Sequence, residues 1–269
     1  MIELNILFWN LGKNSIENYL YQCIIENEVD LALVSEYGGI SFDILMDKLG
    51  DDYVHIDGFG GCDKITLIAK AIYPTTVCRE QDRCVLYRVE GQGSSYIIAG
   101  VHLQDRQNSD KLARISKIGR IVNDIGNLEN SSKCKNTIII GDFNANPYDD
   151  ELLAAMAFHA VLFKDVILKS ETRTLDGVSY RRFYNPILQY LSEDTKLYGS
   201  YYYSSGSSTP IWHCLDQVLV SKNLVNKVSG LKYLKSVKGR SLISKIRPNR
   251  EISDHLPLYV NISEENYGI

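Results

Sequence analysis

Short apolar runs that each stop on a polar or acidic residue recur through this chain, and they limit the folds open to it more than any other feature. Leu31-Ala32-Leu33-Val34 stops at Ser35-Glu36, residues 96–101 stop at His102, and residues 137–140 stop at Gly141-Asp142. Runs this short are unsuited to buried helices and suit strands covered on both faces. Residues 2–9 read as a first strand, and residues 215–220 and 256–262 as two late ones. Asn10, Glu36, His102 and Asp142 therefore stand just past strand C-termini, while Asp254 and His255 stand just before the last strand. An antiparallel last strand brings all six to one sheet edge.

Between these runs the periodicity turns helical. Ile16, Tyr19, Leu20, Cys23 and Ile24 form the stripe of a half-buried helix, with Ser15 expected as its N-cap after a turn at Gly12. A second helix is expected from Ser109 through Leu112, Ile115, Ile118, Val122 and Ile125, ending at Gly126. Alternating strands and helices predict an α/β architecture. With 269 residues, 45% of them apolar, no repeats and no Pro-rich linker, a single domain over residues 1–269 is expected. Residues 201–210, which contain Ser204-Ser205-Gly206-Ser207-Ser208, read as a long surface loop.

No run of apolar residues is long enough to span a bilayer, and the first residues lack the basic start and cleavage site of a secretory signal. A soluble, cytoplasmic protein without a membrane span is expected. The six cysteines contain no C-x-x-C pair and are expected to be reduced and structural. The formal charge is −4, yet residues 217–250 contain nine basic side chains and no acid. That segment leads into the Asp254-His255 pair. It reads either as an arm that attracts a polyanion or as a solvated lysine-rich surface.

Two stretches carry the chemistry: Gly141-Asp142-Phe143-Asn144-Ala145-Asn146-Pro147, and Ser253-Asp254-His255-Leu256-Pro257-Leu258. Asp142 and Asn144 lie two apart on the turn after a buried strand, so both can approach a phosphate from one side. Asp216 sits inside an otherwise apolar run and is costly to bury without a hydrogen-bonding partner. A phosphodiester repels nucleophiles until a hard cation neutralises it, and Mg2+ prefers oxygen ligands such as Glu36 and Asn10 offer.

In these blocks, together with Trp9-Asn10, Ser35-Glu36-Tyr37, Val101-His102-Leu103 and Leu215-Asp216-Gln217-Val218-Leu219-Val220-Ser221, the chain resembles the endonuclease/exonuclease/phosphatase superfamily of metal-dependent phosphoesterases over nearly its whole length. The resemblance implies a four-layer α/β sandwich of two packed mixed sheets flanked by helices, with the active site at one rim. It implies Glu36 as the main ligand of Mg2+, or of Mn2+ in its place, assisted by Asn10 and Asp254. It implies catalytic roles for Asp142 and Asn144 at the attacking water, for an Asp216–His255 pair at the phosphate, and for His102 as proton donor to the leaving oxygen. His102 matches the deoxyribonuclease-like branch, and Val101-His102-Leu103-Gln104 departs from the Tyr-x-Pro-Asn block of abasic-site nucleases.

The expected function is a Mg2+-dependent phosphodiester hydrolase, foremost a nuclease with DNA or RNA as substrate. Two alternatives stand beside it: a phosphatase or phosphodiesterase for inositol phosphates, phospholipids or nucleotides, and an inactive binding module of the same fold. Arg106, the Arg181-Arg182 pair and His213 are candidate phosphate or rim contacts, each with a plain surface or packing role as the other reading. Tyr201-Tyr202-Tyr203 offers base stacking or packing.

Overall fold

The computed structural model describes residues 3–91, 93–106, 109–191, 199–204 and 211–263. The apolar runs form strands with ends close to those expected: β1 (Glu3–Asn10), β2 (Leu31–Ser35), β3 (Tyr53–Ile56), β4 (Ile65–Lys70), β5 (Thr75–Gln81), β6 (Cys84–Glu90), β7 (Ser95–His102) and β8 (Thr137–Asp142). The late strands are Asp216–Val220, Val228–Tyr233 and Leu258–Ser263.

Two mixed sheets result. In the six-stranded sheet the order is Val228–Tyr233, Leu258–Ser263, β1, β2, β4, β3; in the seven-stranded one it is β5, β6, β7, β8, Asp216–Val220, Phe183–Tyr184, Ala160–Val161. The sheets pack face to face, with Ile98, Ile138, Ile140 and Val218 joining the core of β1 and β2. The intervening residues Ala99, Val101, Ile139 and Leu219 turn the other way, against Ile115, Ile118, Ile121 and Ile125 of helix α3 (Lys111–Ser132). Helices α1 (Glu17–Glu26) and α2 (Phe42–Leu49) bury Leu20, Cys23, Ile24 and Leu45 into the first core. This two-residue alternation between two buried faces explains why the strands read as continuous apolar runs. The architecture is the four-layer α/β sandwich expected. All six cysteines are free thiols, and Cys23, Cys84, Cys134 and Cys214 are buried.

Register gathers the polar strand ends. Parallel pairing sets Asn10 beside Ser35, one residue before Glu36. In the other sheet, parallel pairing sets His102 beside Asp142, and antiparallel pairing sets Asp216 beside Asp142. The last strand runs antiparallel to β1, with Leu258 opposite Phe8, so the preceding residues Ser253, Asp254 and His255 reach the same rim as Asn10.

Two helix-end expectations are corrected. Ser15 does not cap α1; Ile16 holds the cap position, and the Ser15 hydroxyl donates to the carbonyl of Gly39 at 2.7 Å. Gly126 does not end α3, which runs on to Ser132 and stops at Lys133 in the left-handed conformation. A glycine inside a helix costs only about 1 kcal/mol, and packing of Leu128 with burial of Glu129 beyond it outweighs that. The helix expected from Ser109 begins at Lys111 and is capped by Asp110, whose carboxylate accepts from the Ala113 amide at 3.1 Å. Within the serine-rich stretch, Tyr201–Tyr202 pairs with Trp212–His213 as a short ribbon, and residues 205–210 lie outside the described residues. No described helix is long and apolar enough to cross a membrane.

Gly141 is required by this arrangement. A Cβ built there would lie 1.8 Å from the carbonyl oxygen of Val101 on the neighbouring strand. Overpacking a well-ordered interior costs about 1–3 kcal/mol, and here the obstacle is backbone that cannot rotate away. Gly141→Ala is therefore expected to lose at least about 2 kcal/mol of stability in denaturant unfolding; an unchanged midpoint would show that β7 and β8 are not held this close.

Candidate active site

Oδ2 of Asp142 is the point on which the rim residues converge. The carboxylate is 2% exposed. Asn10 donates to Oδ2 from Nδ2 at 3.1 Å, and Nε2 of His102 and of His255 stand 3.8 and 3.9 Å from the same oxygen. Oδ1 is bound separately, accepting from the Asn144 amide at 2.8 Å. That bond holds Asn144 in the left-handed conformation at φ 47°, while its side-chain Nδ2 donates to the carbonyl of Leu103 at 2.8 Å. A short polar side chain tolerates this backbone better than most.

Glu36 forms the solvent-facing side. It also sits at positive φ, at 49°, directly after β2. Its Oε1 lies 3.4 Å from Nδ2 of Asn10 and 3.7 Å from Nε2 of His102, and its side chain is about a third exposed. Asn10 thus bridges two carboxylates with its amide nitrogen, while its Oδ1 accepts from the Gly12 backbone at 3.1 Å. Asp254 faces the same cleft beside Gly12.

The buried side is an Asp216–His255 pair. Oδ2 of Asp216, with no exposed surface, lies 2.7 Å from Nδ1 of His255. Burial pushes the Asp216 carboxyl upward, and the facing imidazole opposes this. Burial alone would depress His255, but Asp216 foremost, with Asp142 and Asp254, raises it to about 10. Three carboxylates face one ring, so the ring holds the proton. Supporting bonds fix the pair: the Trp9 indole donates to the His255 carbonyl at 3.0 Å, the Ser253 hydroxyl accepts from the His255 amide, and the Tyr233 hydroxyl donates to the Asp216 carbonyl at 2.6 Å. Trp9 and Ser253 stood in the quoted sequence blocks without a role. Tyr233 gave no sequence signal, because its contact depends on the six-stranded sheet packing over Asp216.

These groups form the floor of an open cleft of about 1340 Å³, which Glu36, His102, Asp142, Asn144, Asp254 and His255 line. Tyr201, Tyr203 and His213 form part of one wall, and the Tyr201 ring lies 4.9 Å from that of His255. Lys13, Lys64, Arg83, Arg106 and Arg250 are cleft-lining cations. Arg106 is committed to Asp149 and Glu151. Of the nine basic residues in 217–250, only Arg250 lines the cleft. The Lys238 amide donates to Glu26 at the end of α1 remote from the active rim. Arg181 pairs with Glu129 and stacks over Phe183, and Arg182 donates to the Ser170 carbonyl, so neither serves the cleft.

Ligand atoms of Asp142, Asp216 and His255 lie within 4.8 Å of one another, a spacing that metal sites share. Asp216 and His255 are committed to each other, however, and a protonated imidazole repels a cation. Oxygen donors on the other side, from Glu36 and Asp254 with Asn10 beside them, suit a hard divalent ion better.

The charge on His255 sets a pH dependence. Its folded pKa lies above the free value of 6.5, so the stabilisation it brings is complete below about 6.5 and is lost as pH rises through about 10. In metal-free protein, an NMR titration should show the His255 ring protonated at neutral pH and releasing its proton near 10. In Asp216→Asn the midpoint should fall, because the largest cause that raises it is removed. An unmoved midpoint would mean that Asp216 is not what holds the charge.

No family model matches the chain, and no curated protein matches it. Solved structures do. An endonuclease/exonuclease/phosphatase family protein from Bacteroides thetaiotaomicron superposes with a TM-score of 0.60 at 14% identity, covering 98% of this chain and 99% of that one. D. rerio TDP2 complexed with single-strand DNA product gives 0.57 at 14% identity, over 96% and 98%. The endonuclease domain of TRAS1, a telomere-specific non-LTR retrotransposon, gives 0.54 at 10% identity, over 97% and 98%. Two face-to-face mixed sheets with the polar strand ends gathered at one rim, matched over nearly the full length of such proteins, identify the fold of this chain as that of the endonuclease/exonuclease/phosphatase superfamily.

Proposed function

We propose that the chain, acting as one domain over residues 1–269, is a Mg2+-dependent phosphodiester hydrolase that cleaves DNA or RNA. The observation that carries this reading is the Asp142-centred cluster on the floor of an open cleft of about 1340 Å³ lined by both aromatic and cationic side chains. A small phosphoester needs no cleft of that extent, whereas a strand uses cations for its phosphates and aromatic faces for its bases. Similarity to TDP2 complexed with single-strand DNA product and to the TRAS1 endonuclease domain supports the same class.

Glu36 is the principal metal ligand in this proposal, with Asp254 as a further oxygen donor; Asn10, whose Nδ2 faces Glu36 and whose Oδ1 accepts from Gly12, assists by holding Glu36 in place. The bound ion would neutralise phosphate charge and polarise the phosphorus. His255, kept charged by Asp216, pairs with a non-bridging phosphate oxygen. Asp142 orients the attacking water and accepts its proton, and the Asn144 side-chain oxygen, set by the bond of Nδ2 to Leu103, helps hold that water. A phosphorus–oxygen bond forms to the water as the bond to the leaving oxygen breaks, and Nε2 of His102 gives that oxygen a proton.

Purified protein should be offered single- and double-stranded DNA, RNA, a phosphomonoester and an inositol phosphate, with Mg2+, Mn2+ or EDTA. Nucleic-acid cleavage that EDTA abolishes and Mg2+ restores is expected, with Asp142→Ala and His255→Ala slower by about 10²–10⁴-fold. Turnover of the inositol phosphate alone would replace the substrate class, and variants as active as wild type would remove the catalytic assignment.

The cation positions yield a separate expectation. Arg250→Gln should weaken binding and flatten its salt dependence, whereas Lys238→Gln with Arg240→Gln should leave both unchanged. The opposite result would restore the whole 217–250 segment as a polyanion arm.

A further inference from the structure

Next to the catalytic cleft, behind Leu103, lies a second pocket of about 330 Å³ between α3 and the turn joining β5 to β6. Its floor is apolar, built from Leu103, Ile118, Ile121 and Phe143. Its rim carries three cations, Arg83, Lys117 and Arg120, and one acid, Asp82. The buried Arg114 and Glu151 beside it satisfy each other at 2.9 Å, so they do not set the charge of the mouth. Arg83 has the exposed Asp82 at 3.3 Å, while Lys117 donates to the neutral amide of Gln104 at 2.9 Å. Among the described residues, neither Lys117 nor Arg120 pairs with a carboxylate. The pocket therefore joins an apolar interior to a cationic entrance.

Its connection to the cleft is structural as well as spatial. Arg83 and Leu103 line both spaces. The Leu103 amide donates to the Asp142 carbonyl at 2.9 Å, and the Leu103 carbonyl accepts from the Asn144 side chain at 2.8 Å. The partition between pocket and cleft is thus tied to the two residues that would face the scissile phosphate. A ligand anchored at Asp142 and Asn144 has its adjoining portion delivered against Leu103. Phosphate alone has no use for an apolar floor, and an uncharged hydrophobic ligand has none for the lysine and arginine rim. A nucleotide unit of a strand meets both.

We propose that this pocket is a nucleobase subsite: it takes one unpaired base of the substrate strand against Leu103, Ile118 and Ile121, with the flanking phosphate held by Lys117 and Arg120. The inference rests on the nucleic-acid hydrolase reading and adds to it a preference for single-stranded or locally opened substrate. Arg83 then marks the step of the strand from cleft to pocket.

The test compares wild type with Lys117→Gln/Arg120→Gln, both changes lying outside the catalytic groups. The probes are a single-stranded oligonucleotide and bis(p-nitrophenyl) phosphate, a diester that carries no flanking phosphate for Lys117 and Arg120 to hold. For the oligonucleotide, KM should rise about tenfold with kcat retained, and the slope of log KM against log salt should fall by about 0.7 for the one single-strand phosphate no longer held. Turnover of the small diester should stay unchanged. An abasic scan of the oligonucleotide with wild type should show one position at which removing the base raises KM severalfold.

If wild type hydrolyses neither probe, the hydrolase reading fails before the subsite is reached. If wild type cleaves both and the double variant matches it on both, the subsite is wrong. Equal losses on both probes would mean that the substitutions act through the fold, which also overturns it. An abasic scan without a sensitive position would reduce the pocket to a phosphate contact and remove the base from the proposal.

Discussion

Everything at the rim depends on accommodating one buried carboxyl group, Asp142, between two sheets. A buried polar group left without partners is costly, and the fold meets that cost from three directions. β1 supplies the Asn10 amide at 3.1 Å, the following turn supplies the Asn144 backbone N–H at 2.8 Å, and histidines from β7 and from the residues before the last strand stand just under 4 Å away. The donors come from both sheets, so the site exists only when the sheets are packed in register. Gly141 sets how closely β8 approaches β7, and so ties backbone packing to the placement of the Asp142 carboxylate.

Much of this was legible in the sequence because strand register is discrete. A strand that ends on a functional residue delivers it to a rim, and parallel neighbours deliver theirs to the same rim; Asn10 with Ser35-Glu36, and His102 with Asp142, follow from this alone. The antiparallel last strand was inferable from the position of Asp254 and His255 at its start. Ser15 and Gly126 misled because cap and breaker preferences are worth about 1 kcal/mol. A tertiary contact from Ser15 to Gly39 and burial of the last turns of α3 exceed that.

What stayed illegible has a common cause: it depends on which surfaces fold back over the rim. Tyr201 and His213 reach the cleft because a short ribbon sets Tyr201 opposite His213, and Tyr201 also bridges to His255. Spacing in the sequence does not encode that. Charge behaved likewise. Nine basic residues without an interleaved acid form one block in the sequence, but the 217–250 segment is spread over two strands and two hairpins, so the Lys238 amide sits against Glu26 while Arg250 alone of the nine lines the cleft. Composition counts charge, and the path of the backbone decides where it is spent.

The two sides of Asp142 are unlike, and that asymmetry bears on what the site is for. On one side, Asp216 and His255 are enclosed, bound to each other and supported by Trp9, Ser253 and Tyr233. On the other, Glu36 keeps a third of its carboxylate in the cleft. A buried ion pair is weak evidence for stability, since well-packed apolar residues in its place are often as stable or more so. The hydrolase proposed above would use both arrangements around one carboxylate: a fixed positive charge toward the phosphate on one side, and oxygen donors toward a hard cation on the other. A module that only bound a phosphate would use the enclosed imidazolium and leave the Glu36 side idle, so it is the pairing of the two sides at the rim where the strand ends meet that favours the hydrolase proposal over the binding module.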